Sequence, residues 1–153
     1  MLSNFALVKS VDLVLRLWPE AACTTEAVRA EYQRGADAGL VPAGVWDELP
    51  IVELEERESE FSEEFATRIG MGERTCIAVA KQRGGLFVSD DAQARAIARE
   101  HRIPVSGTIG LLVRAVRRGL ISRDEANTLL TSMIAAGYRS PAEKLDQWLP
   151  VEN

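Results

Sequence analysis

Two adjacent aspartates stand where a parallel sheet would bind a divalent cation. Asp90 and Asp91 directly follow the apolar run of residues 86–89, which is typical of a buried parallel strand. Ligands of open parallel sheets bind beyond the carboxyl ends of the strands, and Mg²⁺ and Mn²⁺ prefer carboxylate oxygens. An Asp at this place could instead cap the following helix, but capping requires only one of the two. We therefore predict that Asp90 and Asp91 bind a metal ion.

Two glutamates are further candidates for an acidic site. Glu73 lies in the first turn of a predicted helix, on the same face as Ile77 and Ala80, so it would extend a buried stripe. Buried carboxylates are rare unless they are paired or bind a metal, although a first-turn Glu also stabilises the helix dipole. Glu31 lies on the apolar face of an earlier helix, where an ion pair with Arg34 is the alternative interpretation.

Charge is segregated along the chain, and the net charge of −5 hides this pattern. Seven glutamates lie between residues 53 and 64, whereas arginines dominate the later part of the sequence. Arginine is well suited to bidentate contacts with phosphate, although solvated helix faces would produce the same pattern. The candidates for phosphate contacts, together with the hydroxyl at the end of the strand, are Ser89, Arg95, Arg99, Arg114 and Arg118.

Helix-like and strand-like segments alternate, which indicates an α/β fold with a mainly parallel central sheet. The chain should form a single domain over residues 1–153. An alternation of this kind normally opens with a strand, yet a helix begins here almost at Met1, so we expect the first strand to be missing. The predicted elements are helices over residues 5–18, 25–34, 71–83, 90–101 and 108–118, an acidic helix ending at residue 70, strands over 21–24, 51–54, 86–89 and 103–105, and capping boxes at Ser122 and Ser140.

Composition excludes several classes of protein. The 153 residues are 46% apolar and 27% charged, and no apolar run approaches the roughly 20 residues that span a bilayer. We identify no signal peptide and expect a cytoplasmic protein. His101 is the only histidine, which excludes most zinc sites and most serine–histidine hydrolases. We expect Cys23 and Cys76 to be buried free thiols, with a disulfide or a metal pair as the alternatives.

Several stretches resemble the PIN domain family, in particular the branch of VapC-like toxins and related PIN-like nucleic-acid-binding proteins. These stretches have the order and spacing of the family, and together they cover nearly the whole chain. The second half is represented by the sequences Gly-Glu-Arg-Thr-Cys-Ile-Ala-Val-Ala, Gly-Leu-Phe-Val-Ser-Asp-Asp and Ile-Pro-Val-Ser-Gly-Thr-Ile-Gly-Leu-Leu. The matching stretches are residues 2–6, 25–31, 72–80, 85–91, 98–112, 118–122 and 134–139.

The resemblance implies a three-layer α/β/α sandwich that hydrolyses RNA phosphodiesters with Mg²⁺ or Mn²⁺ bound by an acidic cluster. Glu31 matches the second acid of the family, Glu73 the third and Asp91 the fourth, with Asp90 and Ser89 beside it. The first acid would fall upstream of Met1. This match assigns catalysis to Glu31, Glu73 and Asp91. We predict in addition that Glu73, Asp90 and Asp91 bind the metal and that Ser89 and the four arginines contact RNA.

The resemblance also implies partners. Toxins of this branch form homodimers and are held inactive by an antitoxin protein, so we expect both for this chain. One alternative is a PIN-like module that binds RNA or a protein without cleaving, since the first acid is absent. Another is an interaction protein that uses exposed apolar groups near Trp46 and Trp148, although the tail around Trp148 could instead dock within its own chain.

Overall fold

A computed structural model describes residues 1–149 of the chain, in which helices and short strands alternate. The alternation predicted from the sequence is confirmed. In chain order the elements are α1 (Leu2–Leu7), α2 (Val11–Leu17), β1 (Thr24–Thr25), α3 (Glu26–Asp37), β2 (Ile51–Val52), α4 (Glu56–Glu63), α5 (Met71–Arg83), β3 (Phe87–Val88), α6 (Ala92–Glu100), β4 (Val105–Ser106), α7 (Thr108–Arg117) and α8 (Arg123–Ala135).

The strands form two separate parallel pairs. Strand β1 pairs with β2, with Thr24 opposite Ile51, and β3 pairs with β4, with Phe87 opposite Val105. Parallel strands need a crossover helix between them, so the alternation of helices and strands predicted parallel pairing. The observed pairing agrees with that prediction. Within residues 1–149 each sheet contains only two strands, so the described strands do not form one central sheet. The chain is therefore an α/β protein with small sheets.

The single helix predicted over residues 5–18 is wrong, because Lys9 lies between two separate helices, α1 and α2. Lys9 adopts a left-handed conformation with φ of 57°. Its amide donates to the carbonyl of Ala6, and the amide of Ser10 donates to the carbonyl of Phe5. These two bonds form a Schellman motif, which ends α1 although the apolar spacing continues into α2.

Three other predicted boundaries are also wrong. Helix α3 continues past Gly35, where a Cβ would lie 3.4 Å from Val41 Cγ2, and ends before Gly39, the other glycine predicted to close it, which has φ of 72°. The acidic helix ends at Glu63 and turns follow it. The capping box at Ser122 starts α8 as predicted. The one at Ser140 starts no helix in residues 141–149, and its hydroxyl donates instead to the carbonyl of Ala142.

The larger hydrophobic cluster packs α1, α2, α7 and α8 together and includes the C-terminal tail. Leu145 is fully buried in it, and its amide donates to Asn127 Oδ1 at 2.9 Å. Trp46 is only 8% exposed, and Trp148 packs against the same cluster. The alternative of an exposed apolar surface at the two tryptophans is therefore wrong, and the other alternative for the tail, docking within its own chain, is confirmed. The tail of residues 145–149 docks within its own chain.

The second cluster lies where α5 and α6 pack against β3, around Ile77, Phe87 and Ile97. The helix α4 covers α5 beside it, and Glu58 of α4 is fully buried. Its carboxylate accepts bonds of 2.6 and 2.8 Å from the Arg83 guanidinium and a third from the amide of Glu55. Part of the acidic block is therefore a structural contact instead of a solvated face.

The two cysteines are free, but they differ in exposure. Cys23 is exposed, so the expectation that both thiols are buried is wrong for this residue. Burial raises the pKa of the Cys76 thiol to about 11, which keeps it protonated and unreactive. Among residues 1–149, none of the helices combines the length and apolar character that crossing a bilayer requires.

Candidate active site and cleft

The carboxylates of Glu31 and Glu73 come together around a glycine-rich turn. Helix α3 packs against α5, which brings the middle of one helix to the first turn of the other. Glu31 Oε1 accepts a 3.1 Å hydrogen bond from the amide of Gly72. A Cβ placed on Gly70 would lie 2.9 Å from Glu73 Oε2 and 3.9 Å from Glu31 Oε1. The predicted ion pair of Glu31 with Arg34 does not form.

The two glycines leave a space that a side chain would fill. A Cβ on Gly72 would lie 2.6 Å from Glu31 Oε2, closer than a real Cβ atom approaches an oxygen. Mg²⁺ typically binds one or two carboxylates together with waters and substrate phosphates. The donor set and the space of Glu31 and Glu73 fit such an ion. Within residues 1–149 no group of three or more His, Cys, Asp or Glu side chains is placed to hold a metal.

Asp90 lies apart from this pair and binds the start of α7. Thr108 donates to it twice, from its amide to Oδ1 at 2.8 Å and from its hydroxyl to Oδ2 at 2.6 Å. Asn4 Nδ2 and the amino group of Met1 contact Oδ2 at 3.0 and 3.1 Å. Burial alone would raise the pKa of Asp90, but the amino group and the Thr108 bonds outweigh it and the pKa lies below its usual value.

Asp91 caps the following helix. Its Oδ1 accepts a 2.6 Å bond from the amide of Ala94, and its own amide donates to the hydroxyl of Ser89. Asp91 is exposed, whereas Asp90 is partly buried. The two adjacent aspartates thus have different tasks, one at the N-terminus of α6 and one at the N-terminus of α7. The metal-binding and catalytic roles of Asp91 stay predictions.

An open cleft of about 590 Å³ lies beside Asp90. Glu31, Glu73 and Asp91 do not line it, so the predicted acidic residues occupy more than one place. Three of its residues were not singled out from the sequence, although two matched stretches contain them: Asn4, Tyr138 and Arg139. The lining residues are Met1, Asn4, Asp90, Arg95, Gly107, Ile109, Gly110, Gly137, Tyr138, Arg139, Ser140 and Pro141.

The predicted phosphate-binding arginines divide into two groups. Arg95 lines the cleft and donates from Nη1 to the carbonyl of Ser89 at 2.7 Å, while Arg99 is exposed on α6. The guanidinium groups of Arg114 and Arg118 lie 5.3 and 5.8 Å from the ring centre of Trp18. Both therefore tie α7 to the end of α2 by cation–π contacts. Their RNA-binding role stays a prediction.

Comparison with known proteins identifies the family. The family model described as a PIN domain matches residues 1–151, which is nearly the whole chain. Neither the curated proteins nor the solved structures gave a match. PIN domains are generally nucleases and typically bind divalent metals. The glycine-flanked pair of carboxylates agrees with that chemistry, and the chain belongs to the PIN domain family.

Proposed function

We propose that this chain is a metal-dependent endoribonuclease that hydrolyses RNA phosphodiester bonds with Mg²⁺ or Mn²⁺. The observation that carries the proposal is the approach of Glu31 and Glu73 around Gly70 and Gly72 in a chain of the PIN family. Both carboxylates sit at one place on two packed helices, where they are oxygen ligands for a hard cation. The three-layer sandwich of the family remains part of this proposal.

The residues of the chain orient these groups. Glu31 and Glu73 would hold the ion, which would supply a water molecule of lowered pKa and offset negative charge on the phosphate. The amide of Gly72 fixes the carboxylate of Glu31. The amino group of Met1 and the bonds from Thr108 lower the pKa of Asp90, so its carboxylate stays ionised at the edge of the cleft, and Asn4 fixes its position.

We further propose that the chain is the toxin of a toxin–antitoxin pair and acts in the cytoplasm. This rests on its resemblance to the VapC-like branch, which also implies a homodimer and an antitoxin protein as partners. Expression of the chain alone in a bacterial host should stop growth, whereas expression of a Glu73→Gln variant should not. Equal growth arrest by both proteins would remove nuclease activity as the cause.

Cleavage of a structured RNA tests the nuclease proposal. The unmodified chain should cut in Mn²⁺ and stop cutting in EDTA. Glu73→Gln removes one charged ligand without changing side-chain size, so its rate should fall about a hundredfold or more. Glu60→Gln is the matched control, because Glu60 is exposed on α4 and makes no contact with the pair. Metal-independent cutting, or an equal rate for Glu73→Gln, would refute the proposal.

Two observations favour a second function. Within residues 1–149 the acidic side chains form no group of three, and Asp90 already accepts bonds from Asn4 and Thr108. These features also suit a PIN-like module that binds RNA or a protein without cutting. Binding of RNA in EDTA, combined with no cleavage in Mn²⁺, would select this function over the nuclease.

A further inference from the structure

The cleft beside Asp90 lies between two segments of the chain. One wall is the loop after α8, where Gly137 has φ of 105° and the amide of Tyr138 donates to the carbonyl of Met133. The facing wall includes the start of α7, which Asp90 caps. The floor contains Gly107, where a Cβ would lie 2.8 Å from Asp90 Oδ1 and 3.4 Å from Arg95 Nη1. A glycine here keeps the space between these two side chains open.

The side chains around the cleft favour an anionic ligand. Arg95 uses Nη1 for the carbonyl of Ser89 and keeps its other donors. Arg139 is exposed and makes no hydrogen bond or ion pair with another residue of the described part. Burial and the charge of Asp90 raise the pKa of Tyr138 to about 12, so its hydroxyl adds no negative charge. Two arginines and only one carboxylate therefore line the cleft, in a chain whose net charge is negative.

We propose that this cleft binds a phosphate of single-stranded RNA, and that Arg139 and Arg95 provide the contacts. The inference rests on the proposed function, because it locates the substrate strand. The open volume of about 590 Å³ lies within the roughly 300–1,000 Å³ of sites that take a small ligand, so the cleft has room for a nucleotide of the strand. Arginine binds phosphate through a planar fork of donors.

Binding of a fluorescent single-stranded RNA, measured by anisotropy in EDTA, tests the inference without metal or cleavage. Arg139→Gln should weaken binding about fivefold or more at low salt. It should also reduce the slope of log K against log salt by about 0.7, the value for one phosphate contact on a single strand. Arg57→Gln is the matched control, because it is an equally exposed arginine on α4 and lies outside the cleft. This control should change affinity less than twofold.

Three results would overturn the inference: no binding by the unmodified chain, equal affinity of Arg139→Gln and the unmodified chain, or an equal loss in Arg57→Gln. Preference for a duplex of the same sequence would also overturn it. The outcome is separable from that of the nuclease test. If Arg139→Gln weakens RNA binding but the chain does not cleave RNA with metal, RNA binding in the cleft stands and the nuclease proposal fails. If the chain cleaves RNA but Arg139→Gln binds normally, the nuclease proposal stands and RNA binding in the cleft fails.

Discussion

Gly72 carries the most sensitive contact of the acidic pair, because its amide holds Glu31 and its missing side chain leaves room for that carboxylate. Gly72→Ala should displace Glu31 and reduce Mn²⁺-dependent cleavage at least tenfold. Alanine is favoured over glycine inside a helix by about 1 kcal/mol, which offsets part of the cost of displacing Glu31. Thermal denaturation and the cleavage rate together measure this.

Gly85→Ala provides the control for this change. A Cβ at Gly85 would lie 3.6 Å from Ala80 Cα, an ordinary contact, and its φ is not in the left-handed region. This variant should keep its activity. If Gly72→Ala is as active as Gly85→Ala, Glu31 does not take part in catalysis.

For single residues, the sequence was informative where the helical phase decides which face of the helix a side chain occupies. The phase of Glu73 with Ile77 predicted a buried carboxylate, and the structure leaves Glu73 partly buried, near Glu31. The sequence could not divide Asp90 from Asp91, because both follow the same strand and either residue suits a helix N-terminus. Only the pairing of β3 with β4, which precedes α7, shows that Asp90 binds Thr108 and that Asp91 caps α6.

The packing of α4 against α5 depends on the ion pair between Glu58 and Arg83. Glu58→Gln should lower the free energy of unfolding by about 2 kcal/mol at pH 7, because a charged hydrogen-bonded pair is lost. The bond from Arg83 lowers the pKa of Glu58, and the Glu55 amide adds to this against the effect of burial. A lowered pKa means that the stabilisation is present above the ordinary value of 4.5 and is lost as pH falls through the lowered pKa.

Urea denaturation between pH 7 and pH 3 measures this dependence. The difference in stability between the unmodified chain and Glu58→Gln should shrink as the pH falls below about 4.5. Glu60→Gln, an exposed substitution on the same helix, should show no such difference. A constant difference in stability across this pH range would mean that the charge of Glu58 does not stabilise the packing of α4 against α5.

Among the elements, helices with clear start and stop signals were predictable. The bounds of α5 agree with the prediction, since Gly70 precedes it and Gly84, with φ of 67°, ends it. The break at Lys9 has no such signal, because a lysine rarely adopts the left-handed conformation that ends α1. The Ser140 motif looks like a helix start, yet docking of Leu145 into the core fixes the tail in turns.

At the scale of the whole molecule, net charge is a poor guide to the ligand. The chain carries −5, yet many glutamates lie on α4, away from the cleft. Local potential decides where an anion binds, so RNA binding should depend strongly on salt despite the negative total. Affinity that does not change between 50 and 200 mM salt, about the range over which phosphate contacts weaken, would exclude a phosphate-based interface.

The most direct test of the account is Mn²⁺ binding in the absence of RNA, followed by electron paramagnetic resonance of the free ion. The unmodified chain should bind Mn²⁺, and Glu31→Gln and Glu73→Gln should each weaken binding about tenfold or more. Glu60→Gln should bind as the unmodified chain does. Equal affinity in all four proteins would contradict the assignment of Glu31 and Glu73 as the metal site, and with it the proposed nuclease mechanism.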